Sequence, residues 1–368
     1  MYPIMKPRYA AKSIEHALSL IDDSYISEFK YDGSRLLIHW NKPTVELITA
    51  SKKKTDMFPE LISNLQEYFS LTSCNSCVLD SELVPYNKIT NHIMTADDIG
   101  KKHVYVSPVI FDVLEYNSVD LTCKTLYDRK QLLGKYFKTD GSLNITVIMY
   151  DVNPPIDTLT MLLHQAVDRK TEGLVLKSLS GTYVDGRSTN WVKVKYFNCG
   201  IGDTLDLVIV GGYCHGDECK DFLVAYKDYD NANLVIIGRV GYHKGISTDN
   251  FNKVDTRPLH YITYKKVNCN IFGSGNIIDM PFTEHQAINE LIKSKYANQC
   301  RSSKYLTVQL NKYVYYPDWW CAPTVIVEVS YMSINNNGPQ PTLRDPKIVK
   351  VRKDKICPNN IDYIRKLV

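Results

Sequence analysis

The sequence lacks any long apolar run. No uninterrupted apolar stretch among its 368 residues reaches the length of about 20 that a membrane-spanning helix needs. The N-terminal segment MYPIMKPRYA also has no apolar core of the kind found in a secretory signal peptide. We therefore expect an intracellular protein with no membrane partner.

A large charge of one sign is missing as well. The formal net charge is +4, from 44 basic and 40 acidic residues, so the molecule is not a polycation. Any nucleic-acid binding must then come from local basic patches. The content of 44% hydrophobic and 23% charged residues is ordinary for a globular protein, and the length favours two domains.

Cysteine is present but not clustered, since ten cysteines are scattered along the chain. Cys74 and Cys77 form a lone C-x-x-C pair, and the CHGDEC segment at 214–219 lies where a strand is expected to turn. A structural zinc site normally takes four ligands at recognisable spacing. We therefore interpret the cysteines as free thiols. The sequence shows no internal repeat and no low-complexity tract.

Helical and strand-like stretches alternate through the first half of the chain. Helical apolar spacing predicts helices at 13–23, 58–70, 126–137 and 158–170, with strands between them. Near residue 200, the glycines of NCGIGD predict a linker. The short strands that follow, at hairpin spacing, predict a small five-stranded Greek-key barrel of the oligonucleotide-binding type.

Charged side chains interrupt the strand-like runs of the first half. Such charges are costly unless they are paired or face a cleft, so their number favours a functional site over a solvated surface. They are Lys30, Asp32 and Arg35 in KYDGSR, Glu82 in LDSELV, Asp112 in VIFDVLEY, Glu172 in EGLVLK, and Lys193 and Lys195 in WVKVK.

Three lysines define a candidate anion site. Residues i and i+2 of a strand share a face, so Lys193 and Lys195 point the same way and suit phosphate groups. Lys30 is a nucleophile only after losing its proton, and burial beside other cations favours that loss. Its amine could attack an α-phosphate, with a metal ion neutralising the developing charge. Taken alone, KYDG equally fits an ordinary Asp-Gly turn.

The remaining charges complete a nucleotide-plus-metal pattern. Glu82 and Glu172 offer carboxylates to a hard divalent cation, which keeps waters and bridges substrate phosphates. Phe111 offers an aromatic face to a base.

In this order the motifs resemble those of the covalent nucleotidyltransferases, most closely the ATP-dependent DNA ligases, through most of the chain. EFKYDGSR is similar to the family's nucleotidyl-lysine motif, VLDSELV to its carboxylate motif and VIFDVLEY to its adenine-stacking strand. EGLVLK with WVKVK resembles its fourth and fifth motifs, LVIVGGYCHG the opening of its barrel domain, and PTLRDPKIVKVRKDK its C-terminal motif.

The resemblance implies an α+β fold in two domains. Residues 1–199 would form an ATP-grasp-like nucleotidyltransferase domain of antiparallel sheets and helices. Residues 200–368 would form a C-terminal OB-fold β-barrel. A segment at about 257–305 is longer than the barrel needs, and we expect part of it to wrap the DNA duplex through its basic residues; the alternative is a surface insertion without function.

The resemblance also implies a role for each motif residue. Lys30 would carry AMP, Glu28 would read the adenine amino group and Phe111 would stack on adenine. Arg35, Glu82 and Lys52 would contact the ribose and the nick phosphate, and Glu82 and Glu172 would bind the metal. Lys193 and Lys195 would bind the α-phosphate. Arg352, Asp354 and Lys355 would contact the leaving pyrophosphate. Lys52 stands where the family usually has an arginine, which implies weaker contacts there.

The implied activity is the sealing of nicks in double-stranded DNA with ATP and Mg²⁺ or Mn²⁺, through a lysyl-AMP and a DNA-adenylate. An RNA ligase or a capping guanylyltransferase is the alternative enzyme, and a catalytically inactive nucleic-acid-binding scaffold is the alternative from another class. Because Lys30 lies near the start of the sequence, we expect no helical DNA-binding domain ahead of it. This expected domain organisation resembles that of the compact viral and phage ligases. The resemblance implies a monomer in the nucleus or cytoplasm of a host cell.

Overall fold

The computed structural model describes residues 2–22, 24–215, 218–227, 234–241, 277–280, 306–309, 319–320, 325–335, 341–352, 354–355 and 357–367. The chain divides into two compact units, Met1–Ile201 and Gly202–Val368. Most of the segment 257–305, expected to wrap DNA, lies outside the described residues, as do the side chains of the CHGDEC motif.

The first unit is built mainly from strands. In chain order they are β1 Met5–Ala11, β2 Tyr25–Lys30, β3 Ser34–Asn41, β4 Thr44–Thr49, β5 Lys54–Thr55, β6 Ser76–Asn87, β7 Val104–Tyr116, β8 Val119–Asp120, β9 Thr146–Val147, β10 Asp151–Val152, β11 Gly173–Ser178 and β12 Gly186–Lys195. Its α-helices are α1 Ile14–Leu18, α2 Pro59–Ser70, α3 Leu126–Tyr136 and α4 Ile156–Asp168.

These strands form two sheets. One has the order β1-β12-β11-β2-β10, and the other has the order β5-β4-β3-β6-β7-β8 with β9 beside β7. Neighbouring strands run antiparallel except in the pairs β1–β12 and β7–β9. The predicted α+β fold of antiparallel sheets with a few helices is therefore confirmed at this coarse level.

Three of the four predicted helices form close to their predicted bounds, because each carries one apolar face. In α2, Leu61, Leu65 and Phe69 recur at helical spacing and are buried against the larger sheet. The helix predicted over 13–23 ends earlier, at Leu18. The chain leaves the helix because Asp22 accepts hydrogen bonds from Ser178 and Ser180.

The larger sheet and α2 enclose the main core of the first unit, and a second core lies between the two sheets. Members of the second core include Met5 and Trp191 of the smaller sheet, Tyr183 of the loop before β12, and Leu37, Val84, Val109 and Phe111 of the larger sheet. Phe111 and Trp191 belong to this core and also reach the site described below, so packing between the sheets fixes the walls of the site.

The second unit is also rich in strands. In chain order they are β13 Thr204–His215, β14 Glu218–Lys227, β15 Leu234–Gly241, β16 Ile277–Met280, β17 Leu306–Gln309, β18 Trp319–Trp320, β19 Ile326–Ser330, β20 Ser333–Asn335, β21 Thr342–Arg344 and β22 Lys347–Val351, and helix α5 spans Ile361–Lys366. Strands β14, β13, β19, β22 and β15 pair in that order, and β15 pairs back onto β14. These pairings surround a core of its own, with Leu205, Val224, Ile237 and Val327 fully buried. Across the described part of the chain, no helix is long and apolar enough to cross a membrane.

Candidate active site

Three strands of the smaller sheet bring the reactive-lysine motif beside a carboxylate and another lysine. In the strand register, Lys30 of β2 lies opposite Gly173 of β11, and Gly173 lies opposite Lys195 of β12. The residue before Gly173, Glu172, donates its backbone N–H to the carbonyl oxygen of Lys30 at 2.7 Å. The sheet therefore gathers groups that are far apart in the sequence.

Glycine is required at two positions around Lys30. Gly173 has φ +137°, and a Cβ there would lie 2.1 Å from the carbonyl oxygen of Val194. At Gly33, in the turn after Lys30, a Cβ would lie 2.3 Å from the carbonyl oxygen of Leu83. Both glycines let backbone segments approach more closely than any side chain permits, which fixes the distance between Lys30 and its neighbours.

Glu172 bridges the two lysines. Its Oε1 lies 2.6 Å from Nζ of Lys30, and its Oε2 lies 3.0 Å from Nζ of Lys195. Burial raises the pKa of Glu172, but the two ammonium groups outweigh burial and hold that pKa below its ordinary value. Glu172 is therefore an ionised hydrogen-bond acceptor in contact with an amine that is 23% exposed and open to a substrate.

Arg35 is held rigidly at the next part of the site. Its guanidinium donates to both carboxylate oxygens of Asp80 and to the carbonyl oxygen of Met5 at 3.1 Å. Tyr183 donates a hydrogen bond to the same fully buried Asp80. The guanidinium also lies 4.5 Å from the ring centroid of Phe111. Asp80 thus engages the fork of the guanidinium and fixes its positive charge at the pocket wall.

Glu82 faces the same space from strand β6, opposite Arg35 in the register. Burial raises the pKa of Glu82 to about 7, against the opposing attraction of Arg35 and Lys30. At neutral pH this carboxyl is therefore near its titration midpoint, and an added positive charge would stabilise its ionised form.

A buried cluster of charge lies at the other end of the site. Glu28 is 3% exposed and forms ion pairs with Lys130 and with Lys177, whose Nζ lies 2.6 Å from Oε2. Nζ of Lys177 also lies 4.3 Å from the ring centroids of both Phe111 and Trp191. Burial lowers the pKa of Lys177, although Glu28 opposes that effect. The cluster thus sets a carboxylate and an ammonium side by side.

These groups open onto one pocket. Its lining consists of Pro7, Glu28, Phe29, Lys30, Tyr31, Arg35, Glu82, Phe111, Ile148, Val175, Lys177 and Trp191. One end carries Lys30 and Glu82, and the lining also includes two aromatic rings with a buried ion cluster behind them. The pocket can therefore hold a flat ring system together with an anionic group.

The structure brings together most of the residues predicted from the sequence. Five of the predicted residues line this pocket, and they are Glu28, Lys30, Arg35, Glu82 and Phe111. Glu172 binds both Lys30 and Lys195 as described, and Lys193 lies opposite Val175 of the pocket wall. The roles assigned to these residues stay predictions.

Lys52 lies at a different place. It follows strand β4 with φ 61°, and its Nζ lies 3.1 Å from Oδ2 of Asp185 in an exposed ion pair. It is not part of the pocket lining. Its contact with the ribose or the 5′-phosphate stays a prediction.

The predicted C-terminal residues belong to the second unit, where they form an ion cluster. Arg352 lies 2.8 Å from Asp206 and donates to both oxygens of Asp354, at 2.9 and 2.7 Å. Lys355 lies 3.5 Å from the same Asp206. The contact of Arg352, Asp354 and Lys355 with a leaving pyrophosphate stays a prediction.

Asp112, one of the charges that interrupt the strands, has a structural partner. Its two carboxylate oxygens accept hydrogen bonds from Arg129 at 2.8 and 3.0 Å, and both side chains are fully buried. This pair ties helix α3 to strand β7. Asp112 therefore anchors the strand that carries Phe111.

Sequence reasoning missed four residues around the site. Lys177 carried a signal, because it follows Val175 at strand spacing within EGLVLK and so shares its face. Asp80 carried a weaker signal as a charge within the strand run VLDSELV. Lys130 comes from a helix and Tyr183 from a loop, where no local pattern points to the pocket.

The donors suit a divalent cation of the kind predicted. Among the described residues, no group of three or more His, Cys, Asp or Glu could hold a metal ion. Two carboxylates do interact, since Glu172 adds to the rise that burial causes in the pKa of Glu82. Mg²⁺ commonly binds through one or two carboxylates and takes its other ligands from water and substrate phosphates. Glu82 and Glu172 fit that mode.

Comparison with known proteins identifies the class and then the family. A pocket that combines a lysine, carboxylates, further cations and aromatic rings is characteristic of enzymes that transfer a nucleotide. Residues 6–195, just over half of the chain, match the family model for the ATP dependent DNA ligase domain. The chain belongs to this family.

Curated relatives agree with this membership, and a solved structure resembles the chain in fold. The chain is 28% identical over 302 residues to a "Probable DNA ligase" of Persephonella marina, covering 76% of this chain and 50% of that protein. It is 31% identical over 235 residues to "DNA ligase 1" of Drosophila melanogaster, covering 58% and 31%. The solved structure named Pmar-Lig_PreS3 has a TM-score of 0.52 at 15% identity, covers 95% of this chain and 68% of that one, and shows likeness of fold alone. The chain spans half or less of the length of these two curated relatives.

Proposed function

We propose that this chain is an ATP-dependent DNA ligase that seals nicks in duplex DNA through a lysyl-AMP and a DNA-adenylate. The single observation that carries the proposal is the placement of Lys30, which lines the pocket with Glu82 and is bound to Glu172, the partner of Lys195. Family membership supports the reaction, and the relatives named as DNA ligases support the substrate.

In the first step the Lys30 amine attacks the α-phosphorus of ATP. A P–N bond forms, the P–O bond to the leaving pyrophosphate breaks, and the electron pair departs with pyrophosphate. Before attack the amine must lose a proton. Oε1 of Glu172, 2.6 Å from Nζ, is the acceptor closest at hand. Glu172 becomes neutral when it takes this proton, and Lys195, 3.0 Å from its Oε2, is then available to balance the charge of the α-phosphate.

In the second step AMP passes from Lys30 to the 5′-phosphate of a nick, and the P–N bond is replaced by a P–O–P linkage. In the third step the 3′-hydroxyl attacks the 5′-phosphorus and AMP leaves with the electron pair of the broken bond. Holding both DNA ends in line supplies much of the acceleration. A divalent cation held by Glu82 and Glu172 would neutralise charge on the phosphates.

The choice of ATP follows from the buried charge cluster. The edge of adenine carries an amino donor beside a ring-nitrogen acceptor. Glu28 offers an acceptor and Lys177 a neighbouring donor, which is the complementary order. Guanine carries an oxygen acceptor beside a ring N–H donor, which is the reverse order. Its acceptor would face Glu28, and its donor would face Lys177. The rings of Phe111 and Trp191 supply the aromatic surface for the base.

The second unit fits the predicted barrel. The closed circuit β14-β13-β19-β22-β15 supports an OB-fold of five strands at 200–368. We propose that Arg352, Asp354 and Lys355 orient pyrophosphate in the first step. Three further points stay predictions, because nothing in the described residues tests them. They are the wrapping role of the segment 257–305, the monomeric state and the intracellular location.

Nick sealing tests the proposal directly. Purified wild type, Lys30→Ala and the matched control Lys102→Ala, which alters an exposed lysine, are each incubated with ATP, Mg²⁺ and a 5′-phosphorylated nicked duplex. Wild type and Lys102→Ala should seal the nick, and Lys30→Ala should not. Sealing by Lys30→Ala at the wild-type rate would overturn the proposal. Labelling by GTP in place of ATP would favour a capping guanylyltransferase, and sealing of RNA alone would favour an RNA ligase.

A further inference from the structure

Lys130 occupies an unusual place for a lysine. It lies on helix α3 and its side chain is only 1% exposed. It lies behind the pocket wall rather than in the lining. Burying an ammonium group is costly unless it is paired and hydrogen-bonded. Lys130 therefore needs an ion-pair partner and hydrogen-bond acceptors at this position.

Its partners belong to two residues that line the pocket. Nζ of Lys130 donates to Oε1 of Glu28 and to the carbonyl oxygen of Phe111 at 2.7 Å. One ammonium group therefore ties strand β2 to strand β7 directly behind a carboxylate and an aromatic ring that both line the pocket.

The charges around Glu28 indicate that Lys130 does more than connect two strands. Glu28 has Lys130 on one oxygen and Lys177 on the other. Both carboxylate oxygens are therefore held in place by cations, and a carboxylate offers only acceptors to a base. With Lys130 removed, Oε1 of Glu28 loses its tether to strand β7. A carboxylate that is no longer fixed in orientation would discriminate less between an amino group and an oxygen on the base.

We propose that Lys130 is a positioning residue that sets the preference for adenine, by holding Glu28 as a fixed, acceptor-only group. This inference rests on the proposed function, because it concerns the nucleotide that reacts with Lys30. A merely structural role for Lys130 predicts lower stability with an unchanged preference, so the two roles can be separated.

The test compares ATP with inosine triphosphate, which carries an oxygen in place of the 6-amino group. Rates of nucleotide transfer to Lys30 are measured against nucleotide concentration for wild type, Lys130→Met, Lys130→Arg and the control Lys135→Met, an exposed lysine on the same helix. The preference is the ratio of the two specificity constants, which does not depend on the fraction of active enzyme.

Lys130→Met should reduce the preference for ATP by about tenfold or more, as expected for losing a hydrogen bond to a charged group. The loss should come mainly from a higher half-saturating ATP concentration rather than a lower maximal rate. Lys130→Arg keeps the charge and the donors and should recover most of the preference, and Lys135→Met should match wild type. If Lys130→Met fails to fold, Lys130→Gln carries the same prediction.

A preference in Lys130→Met or Lys130→Gln that stays within about twofold of wild type, while the thermal midpoint falls, would overturn the inference and leave a structural tie. Failure of the proposed function gives a different result, because wild type itself would then transfer neither nucleotide to Lys30.

Discussion

At the scale of single residues, Glu82 gives a pH-dependent test of the site. Burial raises its pKa to about 7, above the value of 4.5 for an unperturbed glutamate. The folded state therefore binds more protons than the unfolded state between these values, and the contribution of Glu82 to stability falls as pH rises from about 4.5 to 7. Glu82→Gln, which imitates the protonated form, should gain stability relative to wild type as pH rises through this window and then level off. Chemical denaturation at pH 5 and pH 8 measures the difference.

The matched control for this prediction is Glu67→Gln, which alters an exposed glutamate on α2. Its stability relative to wild type should change little between the two pH values. A relative stability of Glu82→Gln that is equal at pH 5 and pH 8 would contradict the account of Glu82 as a buried carboxyl with too little positive charge around it.

Individual side chains also show where sequence reasoning succeeds. Lys30, Glu172 and Lys195 were predictable as partners because each interrupts an apolar strand, and a charge in such a place needs a partner. The burial of Lys130 beside the pocket was not predictable, because a lysine in a predicted helix is normally expected at the surface. Only the packing of α3 against β7 turns it inward. Asp112 shows the opposite case, in which a charge in a strand serves packing through Arg129.

At the scale of secondary-structure elements, Gly173 fixes the spacing of the strands that carry the site. Its φ is +137°, and a Cβ at this position would lie 2.1 Å from the carbonyl oxygen of Val194, so Gly173→Ala must push β11 away from β12. We expect a loss of about 2–4 kcal/mol of folding stability. Nucleotide transfer to Lys30 should also fall in the protein that remains folded, because Glu172 moves relative to Lys30. Denaturant titration and labelling with ATP measure the two effects.

Gly134→Ala is the matched control. Gly134 lies in helix α3 with nothing within 4 Å of a Cβ, so this change should raise stability by about 0.5–1 kcal/mol and leave transfer unchanged. If Gly173→Ala behaved like Gly134→Ala, the close approach of β11 and β12 would not be a requirement of the site.

Elements differ in how far the sequence predicts them. Helices α2, α3 and α4 follow apolar periodicity and were predicted within a few residues. The helix predicted over 13–23 is shorter because its last residues make tertiary hydrogen bonds, which periodicity does not register. Strand β12 begins at Gly186, ahead of the WVKVK run, because its first residues pair with β1 at the sheet edge.

At the scale of the whole molecule, the proposed reaction assigns different steps to different residues. Arg352 is proposed to act only on the leaving pyrophosphate, so Arg352→Ala should slow AMP transfer from ATP to Lys30 by about tenfold or more. Sealing of a nick that already carries AMP on its 5′-phosphate bypasses that step and should stay near the wild-type rate. Single-turnover assays with ATP and with the pre-adenylated nick separate the two steps.

Lys350→Ala is the control for Arg352→Ala, since Lys350 lies on the neighbouring strand β22 with a side chain that is 57% exposed. Both rates should stay near wild type. An equal loss of both rates in Arg352→Ala would indicate damage to the second unit rather than a role in the first step.

The most direct measurement locates the AMP itself. The protein is incubated with ATP and Mg²⁺, digested, and analysed by peptide mass spectrometry before and after addition of a nicked duplex. The account predicts one AMP on the peptide that contains Lys30, and its disappearance as the nick is sealed. AMP on another residue, or on Lys30 but unchanged while sealing proceeds, would contradict the central claim that Lys30 is the nucleophile of this enzyme.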